Sequence, residues 1–159
     1  MFNPLGRESR RYFVSLMRHK YFVFLASRRV GGISLFQALV HDASKFLPSE
    51  YIPYARWFYG GKKNRREFDV ALLHHKNRNP HHFEYWIGRQ EVGVRGIQAL
   101  PMPEKYLREL IADWMGAQRA YNEGSVGDYR SWYEKNRQAI KFHPETEARF
   151  LAITAELFE

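Results

Sequence analysis

The residues of this chain best suited to chemistry are its histidines and two carboxylates set on apolar faces. The seven histidines are His19, His41, His74, His75, His81, His82 and His143. A neutral imidazole is the commonest protein ligand for divalent transition metals, and carboxylates add hard oxygen and negative charge. Asp42 directly follows His41, and Asp113 lies on the line Tyr106, Leu110, Asp113, Ala117, an apolar stripe at helical spacing. A carboxylate facing a core needs a cation, a metal or hydrogen-bond donors, because burying a bare charge is costly. One of the 25 lysines and arginines could supply an ordinary ion pair, and spacing alone favours that reading for Asp113. His19, taken alone on its apolar face, reads as a hydrogen-bonded core residue.

Helices must position these groups, since apolar residues recur at helical spacing and sustained alternation is missing. A first helix is expected over residues 8–29, with Tyr12, Leu16, His19 and Val23 on one face, broken by Gly31-Gly32. A second runs from Ser34 to just before Pro48, with Phe36, Leu39, Val40 and Ala43 inward. Ser49 then caps a short aromatic helix through Tyr59. The fourth covers residues 65–78, and Asn79-Pro80 reads as an N-cap with Pro at the first helical position, opening a segment through Trp86. Residues 88–102 read as a loop. Pro103 opens a helix to Tyr121 with Leu107, Leu110, Ile111 and Trp114 inward. A turn at residues 124–127 precedes two last helices over 128–141 and 144–158. The expected fold is all-α, one compact helical bundle of six to eight helices spanning residues 1–159.

Composition narrows the function. The chain has 159 residues, no cysteine and 45% hydrophobic content, enough for a core without disulfide or zinc–thiolate staples. Thiol catalysis is excluded. The apolar stretch at residues 21–26 is far too short to span a bilayer, and no signal peptide is read, so a soluble cytoplasmic protein with no membrane partner is expected. A net charge of +8 favours anionic partners, whether phosphorylated metabolites, nucleotides or nucleic acid.

Taken in order, His19, then His41-Asp42, then His74-His75, then Asp113 resemble the HD-domain superfamily, an all-helical metal-dependent phosphohydrolase fold named for an adjacent His-Asp pair. The resemblance implies that His19, His41, Asp42 and Asp113 bind one divalent metal, and that Asp42 can bridge to a second. The segment His41-Asp42-Ala43-Ser44-Lys45-Phe46 is similar to the superfamily's HD-x-x-K form, in which the Lys faces the substrate phosphate. On a continuous helix Lys45 stands one turn beyond His41 and Asp42, within reach of an anion held on the metal. It equally suits a lysine complementing a helix C-terminus. A double His after the doublet occurs in HD branches with two or three metals, including cyclic-dinucleotide phosphodiesterases, although this chain lacks their Gly-Tyr-Pro signature. His75 shares an apolar face with Phe68 and Leu72 and is the better buried ligand of its pair. His82, seven residues on, is a further ligand candidate, with Pro80 preventing one continuous helix. More closely, Arg18-His19-Lys20, His41-Asp42-x-Ser44-Lys45-Phe46-x-Pro48-Ser49-Glu50, Arg78-Asn79-Pro80-His81-His82 and Asp113-Trp114-Met115-Gly116 resemble a small uncharacterised family of bacterial and phage proteins. That likeness covers nearly the whole chain and brings no established substrate.

The expectation is therefore a metal-dependent phosphohydrolase acting on a nucleotide or other phosphate ester. Its metal ligands are His19, His41, Asp42, His75, His82 and Asp113, holding one or two ions of Mn, Fe, Co, Mg or Zn. Lys45, Asp42, His74 and Arg78 are the candidate catalytic residues. Arg18 is a weaker candidate for neutralising phosphoryl charge, and His74, His81 or His82 for donating a proton to the leaving group. Two alternatives stand beside it. One is a di-iron HD-type oxygenase. The other is a non-enzymatic module binding nucleic acid through Tyr51, Tyr54, Trp57, Phe58 and Tyr59 beside Lys62-Lys63-Asn64-Arg65-Arg66, although those aromatics also suit a helix packed on the core.

Overall fold

The computed structural model describes residues 6–88, 96, 98–121 and 129–158. Among them lie seven α-helices: α1 (Arg7–Val30), α2 (Leu35–Val40), α3 (Pro48–Tyr59), α4 (Arg65–Arg78), α5 (Glu104–Tyr121), α6 (Tyr129–Asn136) and α7 (Pro144–Glu156). Two 3₁₀ turns, Ala43–Phe46 and Phe83–Trp86, complete the regular structure. The only β pairing among the described residues is an isolated bridge between Ile87 and Ala99. The fold is an all-α bundle, and no helix among the described residues is long and apolar enough to cross a membrane.

The central pair is α1 and α5. Val30 meets Arg108, Val23 meets Gly116 and His19 meets Tyr121, so the helices run antiparallel. Gly116 sets their spacing: a Cβ there would lie 2.6 Å from the Val23 backbone nitrogen. Any side chain would wedge the two helices apart. α1 ends where Gly31 takes a positive φ of 70° and returns its N–H to the Ser27 carbonyl, a conformation that suits glycine.

Two apolar clusters flank this pair. One gathers Leu107, Leu110, Ile111, Tyr129, Tyr133, Phe150 and Ile153 from α5, α6 and α7. The other joins Tyr12 and Leu16 of α1 to Tyr54, Ala55 and Ala71. Between them lies a belt of buried polar residues. The aromatic helix α3 packs inward: Trp57 stacks on Phe68 at 4.8 Å, and of its five aromatics only Phe58 is exposed.

The largest departure from expectation is the second helix. It stops at Val40 instead of running to Pro48, because Asp42 takes the left-handed conformation (φ 56°, ψ 21°) and a 3₁₀ turn follows. Phe36, Leu39, Val40 and Ala43, expected inward, are all exposed. The buried line is Ala38, His41 and Asp42, so a polar pair, not the apolar residues, sets the inward face. Asn79-Pro80 does not open a helix. Asn79 instead returns its backbone N–H and its side-chain amide to the His75 carbonyl, closing α4. Ser49 lies inside α3, whose N-cap is Leu47 with Pro48 at the first position. α6 ends at Asn136, earlier than expected, and α7 starts after His143, which caps it by accepting from the Glu145 N–H. The expected turn at residues 124–127 and much of the loop over 88–102 lie outside the described residues.

Candidate metal centre

Each element delivers its side chains to one point. α1 brings His19, the last residues before the 3₁₀ turn bring His41 and Asp42, α4 brings His75, the turn after Pro80 brings His81 and His82, and α5 brings Glu109 and Asp113. The break at Asp42 makes this workable. Neighbours on a continuous helix project about 100° apart, whereas the left-handed residue lets His41 and Asp42 both turn inward. Asp tolerates that conformation better than most residues, and such strain gathers at functional sites. Lys20 ties the segment down by donating its ammonium to the Leu39 carbonyl at 3.2 Å and to the His41 carbonyl.

Asp42 is the hub. Its Oδ2 lies 3.3 Å from His19 Nε2 and 3.6 Å from His41 Nε2. Its Oδ1 lies 3.2 Å from His75 Nε2 and 3.4 Å from His81 Nε2. Asp113 Oδ1 closes the first group, 3.1 Å from His19 Nε2 and 3.5 Å from His41 Nε2. His82 Nε2 closes the second, 2.9 Å from His75 Nε2. Two four-residue sets result, His19/His41/Asp42/Asp113 and Asp42/His75/His81/His82, and in each the ligand atoms fall within 4.8 Å of one another. Ligands about 2.0–2.2 Å from one ion sit at most roughly 4.4 Å apart, so a small contraction would close either set.

Burial and orientation separate a metal site from an ion-pair network. His41, Asp42, His75 and His81 are each no more than 2% exposed. Yet His19 Nε2, His41 Nε2, His81 Nε2 and Asp42 Oδ1 have no hydrogen-bond partner among the described residues. These atoms approach closely without pointing at one another. A cation shared between them would satisfy these atoms, which is why the cluster is a candidate metal centre. A third set, His41/His81/Glu109, behaves differently. Glu109 accepts from His41 Nδ1 at 2.9 Å and pairs with His81 Nδ1 at 3.4 Å, so it holds the outer edges of two rings whose inner nitrogens stay free. Glu50 serves His75 likewise: its Oε2 is 3.0 Å from His75 Nδ1, and Ser44 and Arg78 fix it at 2.8 and 2.7 Å. Carboxylates behind histidines in this manner fix the tautomer that presents Nε2.

The charges follow from the packing. Burial alone would raise Asp42, but Lys45 and His41, with His19 and His75, hold it well below the usual carboxylate range. Burial opposes ionisation of Asp113 too, and His19 and His41 outweigh it. Burial would lower His41, yet Asp42, Asp113 and Glu109 push it up to about 9. Glu109 is held at about 2, mainly against its burial, by His41, His81 and Gln37. His82 goes the other way: burial, then the neighbouring His81, push it well below the ordinary imidazole value. Lys45 Nζ lies 2.6 Å from Asp42 Oδ2, a contact made through the 3₁₀ turn and not along a continuous helix.

His19, His41, Asp42, His75, His82 and Asp113 are thus brought together, with Lys45 at the edge. His74 is outside all three sets, and its buried Nδ1 has no partner among the described residues. Arg78 is spent on Glu50, and Arg18 is turned out over the Phe22 ring. Sequence reasoning did not find Glu50, Glu109 or Lys20, and it left His81 among the proton donors and not the ligands. Glu109 had a signal, one turn before Asp113 on α5; Glu50 and Lys20 stood only as members of the strings that carry the family resemblance, with no role attached.

Comparison with known proteins adds the family. Residues 8–156 match the family of unknown function DUF5662, and the chain belongs to it. No curated protein and no solved structure matches.

Proposed function

We propose that the protein is a metal-dependent phosphohydrolase of the HD type, acting on a nucleotide or other phosphate ester. The observation that carries this reading is Asp42, which turns one oxygen to each of two histidine-rich sets, with His19 Nε2 and His41 Nε2 of the first and His81 Nε2 of the second left without hydrogen-bond partners among the described residues. His19, His41, Asp42 and Asp113 would hold one divalent ion, and Asp42, His75, His81 and His82 a second. Bound there, an ion of this class lowers the pKa of a water and polarises a phosphoryl oxygen. The protein's own part is orientation and charge. Glu109 and Glu50 keep the rings of His41, His81 and His75 in place. Lys45, only 15% exposed at its side chain, supplies positive charge where a phosphoryl oxygen develops negative charge. Arg78 acts at one remove by holding Glu50.

The paired sets suit a di-iron oxygenase as well, and Lys45 tips the choice towards phosphate. Elemental analysis with a screen of phosphate esters tests the proposal. The expected result is one or two divalent ions per chain and hydrolysis that chelation abolishes, with Lys45→Ala keeping its metal but losing roughly 100-fold in turnover. Iron with O₂ consumption and no ester hydrolysis would replace this reading with the oxygenase. Protein that stays metal-free after reconstitution would end both.

A further inference from the structure

Two tyrosine hydroxyls beside the centre have nothing to bind. Tyr12 and Tyr54 are each 5% exposed, and neither phenol oxygen has a hydrogen-bond partner among the described residues. Other tyrosines in the protein differ. Tyr51 donates to the Ser9 carbonyl at 2.7 Å, Tyr133 to Glu147 at 2.7 Å and Tyr129 to Thr154 at 3.1 Å. A buried hydroxyl left unpaired is destabilising, and packing gives no reason for two of them side by side.

Their position supplies one. Tyr12 lies two turns before His19 on the same face of α1, and its ring is 6.0 Å from that of Tyr54. The Tyr54 ring is 6.1 Å from His75 and 5.9 Å from Lys45 Nζ, while that ammonium is 2.6 Å from the shared carboxylate of Asp42. Both phenols also lie close enough to Lys45 and Asp42 to feel their charges, so two phenol donors and one cation stand near the residue common to both ligand sets. Burial raises both phenols above their ordinary pKa, so they remain donors. The cleft of about 560 Å³ beside Glu109 is a poorer substrate site. It meets the outer edges of His41 and His81, which Glu109 already occupies.

We propose that Tyr12 and Tyr54, with Lys45, bind the terminal oxygens of a phosphomonoester. The inference rests on the phosphohydrolase reading and narrows its substrate class. A phosphodiester within a polymer needs a path on both sides of the phosphorus, whereas Asp42, His41, His75 and His81 are at most 2% exposed. A terminal phosphate enters from one side, and its dianion matches two neutral donors and an ammonium.

The test is calorimetric titration of Mn²⁺-loaded protein with inorganic phosphate, alongside turnover of 4-nitrophenyl phosphate and bis(4-nitrophenyl) phosphate. Wild-type protein should bind phosphate and prefer the monoester. Tyr12→Phe and Tyr54→Phe should each weaken phosphate binding roughly tenfold and raise KM for the monoester. Manganese content should be unchanged, and the metal-free variants should melt no lower than wild type, since only an unpaired hydroxyl is lost. Equal phosphate affinity in wild type and both variants would overturn the tyrosine assignment and leave the phosphohydrolase standing. Faster turnover of the diester would overturn the monoester preference. Manganese-loaded wild type that neither binds phosphate nor cleaves either ester would overturn the parent reading and this one with it. Each hydroxyl is expected to contribute, so one folded variant is enough to decide.

Discussion

The two ligand sets share Asp42 and differ in nearly everything that positions and charges them. His19 and Asp113 stand on α1 and α5, long helices locked at the Gly116–Val23 contact. His75 lies in the last turn of α4, and His81 and His82 sit in a turn steered by Pro80 and Asn79. The first set has two carboxylates and two imidazoles, and it compensates its own charge: its histidines are raised and its acids lowered. The second has three imidazoles and the far oxygen of Asp42, with His82 pushed towards neutrality. A rigid, oxygen-richer set suits a harder cation such as Mn²⁺ or Mg²⁺, and a nitrogen-rich set suits Zn²⁺ or Fe²⁺. One buried centre can thus present two different affinities from a single bridging residue.

The severest way to break the comparison is Asp42→Asn. Asn accepts the left-handed conformation and keeps the size, so the fold should persist while both sets lose their shared anion. Metal content by elemental analysis should fall close to zero, with activity down on the order of 100-fold or more. Retention of a full complement of metal would remove Asp42 from its bridging role.

Single-set variants come next. Asp113→Asn should empty the first set and His82→Gln the second, each leaving about half the metal. Asp113→Asn also meets the ion-pair alternative directly. If Asp113 only balances buried histidines, the change should cost about 3–5 kcal/mol equally with and without chelator. If it closes a metal site, wild-type melting should fall on chelation and the variant's should barely respond.

A finer probe uses the carboxylates behind the rings. Glu50 contacts His75 alone among the ligands, while Glu109 contacts His41 and His81, one from each set. Glu50→Gln should therefore weaken only the second site, and Glu109→Gln both, by roughly 10–100-fold in metal affinity. Titration with Mn²⁺ and Zn²⁺ separates the two. Identical profiles for the two variants would contradict the division.

How much of this was legible beforehand tracks the same division. His19 and Asp113 sit on uninterrupted helical stripes, so periodicity alone placed them on inward faces, and Gly31-Gly32 ended α1 as read. The second set depends on a chain reversal. Spacing from His75 to His82 carries no geometric meaning once Pro80 and the Asn79 cap intervene, so His81 could not be ranked above its neighbours. The exposed face of α2 was misread for a related reason. Apolar periodicity assumes that burial follows hydrophobicity, and here the polar pair His41-Asp42 takes the inward line and turns Phe36 and Leu39 out. Glu109's place one turn before Asp113 went unread, and Glu50 escaped because a carboxylate behind a histidine has no assignable role in sequence until the histidine's orientation is known.

The smallest effect, and the one that separates cation from proton, is the pH dependence of stability. In metal-free protein the surrounding carboxylates push His41 up to about 9 from an ordinary 6.5, against its burial, and His19 and His81 are also raised. A raised imidazole contributes stability that is complete below its unfolded value and lost as pH climbs through the folded one. Asp42, Asp113 and Glu109 are lowered, so their contribution is present above the usual carboxylate range and lost only in acid. His82 is lowered and works the other way, adding stability as pH rises through its ordinary value, so metal-free protein should be most stable near about pH 6–7 and weaken towards pH 9. Metal-loaded protein should run the other way over this interval, because metal competes with protons for the same nitrogens. Melting with and without chelator at pH 6 and pH 9 reads the difference, each kcal/mol moving the midpoint by about 2–4 °C. The gap should widen with pH. A metal-free midpoint that is flat or rises from pH 6 to pH 9 would mean that protons do not occupy the centre in place of a cation, and the first set would lose its claim to be the charge-compensated one.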